Sequence, residues 1–102
     1  DTMTLLSFQD KIVVVTGGAS GIGSALVKAF DEKGAIVVVV DLKGSETVVQ
    51  SLRNNNPRKR HMAFACDVTN RHRVQQMIQH IKQEHGRIDI YCSNAGIIVP
   101  PE

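Results

Sequence analysis

The sequence predicts an α/β fold in which a parallel β-sheet carries helices on both faces. Three observations predict it: two continuous apolar runs followed by two further short segments typical of strands, three intervening segments with helical spacing, and a glycine or acidic residue soon after each predicted strand. Runs that are apolar at consecutive positions are typical of strands covered on both faces, as in parallel sheets. Alternating strands and helices form consecutive βαβ units with right-handed crossovers. We therefore expect the first half of a doubly wound sheet, with strand order 3-2-1-4.

The first strand is predicted over residues 11–15, a mostly β-branched run. A helix follows, because apolar residues recur at the spacing of one helical face. The residues of that face are Ile22, Ala25, Leu26, Ala29 and Phe30. Lys33 in the last turn and Gly34 just beyond it are the expected end signals. The continuous apolar run 35–40 predicts the second strand, which leads into Asp41.

The second half of the chain repeats this alternation. A shorter helix is predicted over residues 45–54, and a third strand over 61–66. Thr69 is expected to cap a helix that runs to about His85. The apolar faces of these two helices consist of Val48, Val49, Leu52, Val74, Met77, Ile78 and Ile81. A fourth strand is predicted over residues 87–91.

Composition and length limit the class of protein. The chain has 102 residues, of which 42% are hydrophobic and 22% charged, the balance of a folded globular chain of one domain or less. No stretch approaches the roughly 20 apolar residues that a membrane span needs. The first ten residues lack the basic start and apolar run of a signal peptide. Cys66 and Cys92 cannot form a disulfide framework, so we expect a reducing, cytoplasmic compartment.

The net charge of +2 is unevenly distributed. Residues 53–82 carry seven Lys or Arg against one Asp or Glu, including the run Arg58-Lys59-Arg60. Such a run can bind nucleic acid, but no aromatic side chains interleave with it over residues 53–60 for base stacking. We therefore expect a solvated loop and no nucleic-acid partner. His72 and His80 lie beside polar positions opposite the predicted apolar helix face, and Cys66 and Cys92 end different strands, so we also expect no metal site.

The segment between the first strand and the first helix reads Thr-Gly-Gly-Ala-Ser-Gly-Ile-Gly over residues 16–23. One glycine lets the chain turn tightly, a second lets a pyrophosphate approach the backbone, and a third lets the helix pack close to the sheet. The helix start presents free N–H groups and a partial positive charge to phosphates. The rival P-loop needs a lysine after its closing glycine, but Ser24 follows Gly23. The segment therefore favours a dinucleotide site.

A carboxylate follows at the expected distance. Asp41 lies 18 residues after Gly23, at the end of the predicted second strand. There it can accept hydrogen bonds from both ribose hydroxyls of an adenosine and would repel a 2′-phosphate. An aspartate that merely ends a strand is the alternative interpretation. The glycine-rich segment at the right distance favours the ribose role.

Four motifs together resemble the short-chain dehydrogenases/reductases. They are Thr16-Gly17-x-x-x-Gly21-x-Gly23, Asp41 after the second strand, Asp67-Val68 after the third, and Asn94-Ala95-Gly96 after the fourth. The resemblance spans nearly the whole chain and is specific to the family, but not to any member of it. It implies a Rossmann-type sheet of which residues 1–102 are the N-terminal, NAD-binding portion of a longer single-domain enzyme. Such an enzyme transfers hydride between NAD(H) and an alcohol or carbonyl substrate.

The resemblance also implies which residues contact the cofactor. They are Gly17, Ser20, Gly21, Ile22 and Gly23 at the pyrophosphate side, Asp41 at the ribose, Leu42, Asp67 and Val68 at the adenine, and Asn94, Ala95 and Gly96 beside the central strand. Asn94 would mainly brace that strand. Relatives that bind NADP often carry basic residues where this chain has Ser20 and Leu42, so NAD is implied rather than NADP. Lys43 is the one nearby basic residue that weakens this preference.

The family's catalytic apparatus is absent from this sequence. Family members use a serine on a later strand, a Tyr-x-x-x-Lys pair and an asparagine on later helices, and the tyrosine exchanges a proton with the substrate oxygen. The only tyrosine here is Tyr91, and position 95 is Ala, so no catalytic residue is assigned and this chain alone is expected to be inactive. The alternative is a non-catalytic module that binds NAD, or binds a partner through the edge of strand 88–92. A homo-oligomer is also implied, because family members commonly form dimers or tetramers.

Overall fold

The computed structural model describes residues 7–94, which form a parallel sheet with helices on both faces. The strands are β1 (Ile12–Thr16), β2 (Ile36–Asp41), β3 (Met62–Ala65) and β4 (Ile90–Ser93), and the helices are α1 (Gly21–Glu32), α2 (Ser45–Asn55) and α3 (Arg71–His85). The strand order is β3-β2-β1-β4, and each neighbouring pair is parallel. The predicted α/β fold with strand order 3-2-1-4 is therefore confirmed.

The two central strands are buried on both faces, because side chains alternate along a strand. The side chains that pack with α1 and α2 are Val13, Val15, Val37 and Val39. Those that pack with α3 on the opposite face are Ile12, Val14, Val38 and Val40. All eight are buried, which confirms the expectation drawn from the continuous apolar runs. The outer strands β3 and β4 are mostly half-buried.

The carboxyl ends of the strands align along one edge of the sheet. Thr16 of β1 pairs with Val40 of β2 and with Ser93 of β4, while Asp41 pairs with Ala65 of β3. Open α/β sheets bind ligands in the crevice outside the carboxyl ends of their strands. The predicted cofactor residues that the structure describes all lie at this edge or in the loops and helix start that follow it.

Helix α1 faces the sheet with a side that differs from the predicted one. Gly23 and Val27 are buried, whereas Ile22, Ala25 and Ala29 of the predicted face are exposed. The physical reason is the glycine, whose missing side chain lets α1 approach most closely at Gly23 and so sets the rotation of the helix. The spacing of apolar side chains could not predict that Gly23 faces the sheet, because glycine has no side chain.

Helix α3 is capped by a residue other than the predicted Thr69. The Asn70 side chain accepts a hydrogen bond from the Arg73 N–H at 3.2 Å and so caps the helix. The Thr69 hydroxyl instead donates to the Asp67 carboxylate at 2.6 Å. Both Asn and Thr are good N-cap residues, and the carboxylate two positions earlier competes for the threonine.

Both outer strands begin later than predicted because a side chain takes the first position of the ladder. At β3 the His61 Nδ1 accepts the Val37 N–H at 2.9 Å, and the strand starts at the next residue. At β4 the Asp89 carboxylate accepts the Ile12 N–H at 2.8 Å and also binds the Arg87 guanidinium. The predicted strands 61–66 and 87–91 are therefore corrected to the bounds given above.

The basic run after α2 is partly used to bind carbonyl groups elsewhere in the chain. Arg60 donates to the carbonyl of Glu84 at 2.9 Å, near the carboxyl end of α3. Lys59 donates to the carbonyl of Gly34, just beyond α1. Cations near the carboxyl end of a helix are favourable because that end carries partial negative charge. These contacts give two of the three residues in the run a structural role.

Candidate cofactor-binding site

Three glycines shape the turn between β1 and α1, each for a different steric reason. Gly17 has a φ of 67°, and a Cβ there would lie 3.1 Å from the Asn94 Cβ. A Cβ on Gly23 would lie 1.9 Å from the carbonyl oxygen of Gly17, so α1 packs directly on the turn. Gly21 has a φ of 54°, and a Cβ there would meet no atom within 4 Å. The turn is therefore closed by protein at Gly17 and Gly23 and open at Gly21.

The amino end of helix α1 lies at this opening. The helix starts at Gly21, and the side chain of Ser20, its N-cap residue, makes no capping hydrogen bond. The first turn contains no acidic residue. Because the first N–H groups of a helix have no intrahelical partner and carry partial positive charge, such an end can bind an anion.

The carboxylate of Asp41 lies between β2 and the glycine-rich turn. Its Oδ2 accepts the Ala19 N–H at 3.1 Å, and its Oδ1 accepts the Leu42 N–H at 2.8 Å. The preceding amide of the turn, Gly18 N–H, donates to the Val40 carbonyl at 3.1 Å. A carboxylate offers about four acceptor positions, so about half of them remain for donors from a ligand.

Three large apolar side chains are exposed at the same edge of the sheet. Ile22 is 72% exposed, Leu42 65% and Val68 37%, and among residues 7–94 these are the exposed large hydrophobic side chains. They follow β1, β2 and β3 in turn. We call these three residues the apolar rim.

The carboxylate of Asp67, just beyond β3, is fixed by a local turn. It accepts hydrogen bonds from the hydroxyl of Thr69 at 2.6 Å and from its N–H at 2.9 Å. These two hydrogen bonds hold the pKa of the exposed Asp67 carboxyl below its usual range. The side chain is therefore ionised at neutral pH and available as an acceptor.

Asn94 lies against the turn from the side of β4. Its N–H donates to the Thr16 hydroxyl at 3.2 Å, and that hydroxyl lies 3.5 Å from the Cys92 carbonyl that it donates to. The Asn94 Nδ2 would lie 3.1 Å from a Cβ on Gly23, so the side chain also reaches the start of α1. The other two predicted residues of this motif, Ala95 and Gly96, lie outside the described residues.

Reasoning from the sequence assigned no role to two residues of this arrangement, although the first, Thr16, begins the glycine-rich motif. Thr16 joins β1 to Asn94 through its hydroxyl, and Ala19 joins the turn to Asp41 through its N–H. A buried threonine at the end of an otherwise apolar strand is a signal that could have indicated the first. The contact of Ala19 is made by its backbone N–H, so the identity of its side chain gives no indication of it.

No three His, Cys, Asp or Glu side chains within residues 7–94 converge on a point where a metal ion could be held. In the same range, none of the helices has the length and apolar character needed to cross a membrane.

Comparisons with known proteins identify the family. The sequence model described as short chain dehydrogenase matches residues 11–102. The chain is 37% identical over 100 residues to short-chain dehydrogenase reductase 3c of Arabidopsis thaliana, covering 98% of this chain and 38% of that protein. It is 41% identical over 91 residues to a protein named NAD-dependent glycerol dehydrogenase of Listeria innocua, covering 89% of this chain and 35% of the relative.

A solved structure agrees with this assignment. The crystal structure of gox2181 superposes with a TM-score of 0.87 at 34% identity, over 97% of this chain and 38% of that one. The chain therefore belongs to the short-chain dehydrogenase family, a family of oxidoreductases. It spans no more than 38% of the length of the relatives described here.

Proposed function

We propose that this chain is the NAD-binding portion of an oxidoreductase that transfers hydride between NAD(H) and an alcohol or carbonyl substrate. The observation that supports this most strongly is the apolar rim. Its three members, Ile22, Leu42 and Val68, are exposed although nearly all other large apolar side chains of the described residues are covered. Exposed apolar surface at the ligand-binding edge of a parallel sheet is typical of a binding site. All three residues belong to the predicted cofactor contacts.

The polar groups beside the rim fit a dinucleotide. The open space at Gly21 and the uncapped amino end of α1 suit a pyrophosphate, because backbone N–H groups can reach it without an intervening side chain. The free acceptor positions of Asp41 suit the two ribose hydroxyls. The ionised carboxyl of Asp67 suits the amino group of an adenine, and Asn94 braces the turn behind them. The bound dinucleotide supplies the nicotinamide ring that carries the hydride.

The charges around Asp41 favour NAD over NADP. A 2′-phosphate would meet the Asp41 carboxylate, and the two positions from which a basic residue could compensate are Ser20 and Leu42. Lys43 is exposed and is the nearest cation along the chain. Its charge acts through solvent, so it offsets less than a direct contact would.

The relatives suggest the class of substrate. Three of them are named for the oxidation of small hydroxylated molecules: glycerol, D-threitol and meso-2,3-butanediol. We propose a small alcohol or polyol, or the matching carbonyl compound, for the protein that carries this chain. The free thiols Cys66 and Cys92 support a reducing compartment such as the cytoplasm. The residues that exchange a proton with the substrate are proposed to lie beyond the described residues.

Titration with reduced cofactors tests the proposal. We expect NADH to bind at least about tenfold more tightly than NADPH, a difference of about 1.4 kcal/mol. Leu42→Ser should weaken NADH binding, because it removes an apolar contact from the rim. Lys28→Ser, an exposed change on α1 away from the rim, is the control and should leave the affinity unchanged. Absence of NADH binding at millimolar concentration, or equal effects of the two substitutions, would contradict the proposal.

A further inference from the structure

The hydrogen bonds of Asp41 suggest a second role for this residue that does not involve the ribose. Both of its carboxylate oxygens accept N–H groups of the chain itself. One of these donors, Ala19, lies 22 positions earlier and belongs to the glycine-rich turn. A residue that only contacted ribose would need no bond to the turn.

This bond lies just beyond the pairing between β1 and β2. The last register pair of the two strands is Thr16 with Val40, and Gly18 N–H then donates to the Val40 carbonyl at 3.1 Å. The next amide of the turn, Ala19 N–H, has the Asp41 Oδ2 as its acceptor at 3.1 Å. The side chain therefore adds a second hydrogen bond between the turn and the end of β2, beyond the last register pair of the strands.

Few other contacts fix the glycine-rich turn on the side that faces β2. Gly17 and Gly21 both have positive φ, and glycine has the largest conformational freedom to lose on folding. On the opposite side the turn is held by Asn94 and Thr16. On the β2 side its polar contacts are those of the Gly18 and Ala19 amides.

We infer that Asp41 is a positioning residue for the glycine-rich turn, which it holds in the phosphate-binding conformation through the Ala19 N–H. This deepens the proposed cofactor site and rests on the proposed function only for the choice of ligand. The ribose hydroxyls and the turn would then both donate hydrogen bonds to the Asp41 carboxylate. Ligand binding and the order of the turn are therefore coupled. Replacing Asp41 with a small residue to admit a 2′-phosphate would disorder the pyrophosphate subsite at the same time.

Two substitutions separate this role from charge and from ribose contact. Asp41→Asn and Asp41→Ala both remove the negative charge, but only asparagine keeps an oxygen that can accept the Ala19 N–H, while its NH2 group replaces the oxygen that accepts the Leu42 N–H. In the full-length protein without ligand, we expect Asp41→Ala to speed hydrogen exchange of the Ala19 amide by about tenfold or more, as for loss of a bond to a charged acceptor. Asp41→Asn should stay within about threefold of the unchanged protein. Exchange at the buried Val14 amide of β1 reports whether the effect is local.

The affinity for inorganic pyrophosphate, which has no ribose, is a second measurement. The direction in which this affinity changes distinguishes the positioning role from a role of charge alone. If Asp41 acted only through its charge and the ribose, both substitutions would strengthen pyrophosphate binding equally, because a nearby negative charge is lost. We expect instead that Asp41→Asn binds it at least as tightly as the unchanged protein and that Asp41→Ala binds it at least about fivefold more weakly than Asp41→Asn. Glu46→Ala, which removes an exposed charge from the first turn of α2, is the control and should leave Ala19 exchange unchanged.

The outcomes distinguish this inference from the proposed function. Unchanged Ala19 exchange in Asp41→Ala, or equal pyrophosphate affinities of the two Asp41 variants, would overturn the positioning role. The hydrogen-exchange measurement at the Ala19 amide needs no ligand. It therefore tests the positioning role even if pyrophosphate binds too weakly to measure. Failure of the unchanged protein to bind NADH would overturn the proposed function and leave the exchange result standing.

Discussion

The least expected single residue is His61, at the end of the sheet opposite the candidate site. It is buried, and its Nδ1 accepts the Val37 N–H at 2.9 Å while its Nε2 lies 2.8 Å from an Asp31 oxygen. Since Nδ1 accepts, the proton must be on Nε2, and the hydrogen-bond network assigns the neutral tautomer. Burial lowers the pKa of His61, and the hydrogen bond and charge of Asp31 oppose this effect only in part. The neutral ring therefore completes the start of the β2–β3 ladder.

This assignment predicts how stability changes with pH. Because the folded state lowers the pKa below the unfolded value of about 6.5, the unfolded state binds the proton more readily. The stability that His61 contributes is thus present above about pH 6.5 and lost as the pH falls through the lower folded pKa. Removing the ring by His61→Gln should lower the free energy of unfolding by about 1–3 kcal/mol at pH 7.5 and flatten its fall toward pH 5.5.

Urea unfolding at the two pH values measures this. His72→Gln, an exposed change on α3, is the control and should keep the slope of the unchanged protein. His85, whose pKa is also lowered by burial, remains in both variants, so the difference between them isolates His61. An equal pH slope in all three proteins would show that His61 does not titrate between the folded and unfolded states.

At the scale of elements, the turn from β1 to α1 contains glycines with open space beside them and glycines packed against protein atoms. Gly21→Ala adds a methyl group where no protein atom lies within 4 Å, at a φ of 54°, so we expect a loss of about 1–2 kcal/mol from backbone strain and a folded protein. NADH binding should nevertheless fall by at least about tenfold, because the methyl group stands where the pyrophosphate is proposed to bind. Thermal unfolding together with NADH titration measures both effects.

Two further alanine substitutions complete this comparison. Gly86→Ala also places a methyl group at a positive φ, 84°, with no atom within 4 Å, but lies at the far end of α3 and should leave NADH binding unchanged. Gly23→Ala would place a methyl group 1.9 Å from the Gly17 carbonyl oxygen, so α1 must move and stability should fall by about 1–3 kcal/mol or more. Equal losses of NADH affinity in Gly21→Ala and Gly86→Ala would show that strain, and not the open space, causes them.

The elements also show how far the sequence predicts this fold. The order of strands and helices follows from local patterns, because apolar runs such as 12–15 and 37–40 must be covered on both faces. The rotation of α1 and the starts of β3 and β4 depend instead on particular contacts that the apolar pattern does not include, two of them between residues far apart in sequence. Gly23 is placed by a carbonyl of the turn, His61 by an amide 24 positions earlier and Asp89 by one 77 positions earlier. Patterns over a few neighbours do not contain such contacts.

The candidate site shows the same division. Predicted positions such as Gly21, Asp41 and Val68 come to one edge because parallel strands align their carboxyl ends. The sequence did not predict that Asp41 would bind the turn as well, since the donor is a backbone amide. Motif spacing thus predicts which residues meet, and the structure adds how they hold one another.

At the scale of the whole molecule, the described residues provide groups suited to the proposed cofactor, while the proposed hydride transfer also needs a proton donor. The one tyrosine of the chain is a poor candidate. Tyr91 is half-buried in β4 and packs on the face covered by α3, together with Cys66 and Val14. Burial raises the pKa of the Tyr91 hydroxyl, with a smaller contribution from Cys66. A catalytic tyrosine needs the opposite, a pKa lowered toward neutrality.

Tyr91→Phe in the full-length protein therefore tests whether the proton donor lies outside the described residues. We expect kcat and the affinity for NADH to change by less than about twofold, because the ring keeps its packing and only a hydroxyl outside the reaction is lost. Steady-state rates with a small polyol and NAD measure this, and Asp41→Ala serves as the contrasting variant that should lose cofactor affinity. A fall in kcat of about 100-fold with unchanged NADH binding would place the proton donor in β4. In that case the described residues would contain part of the catalytic apparatus as well as the proposed cofactor site.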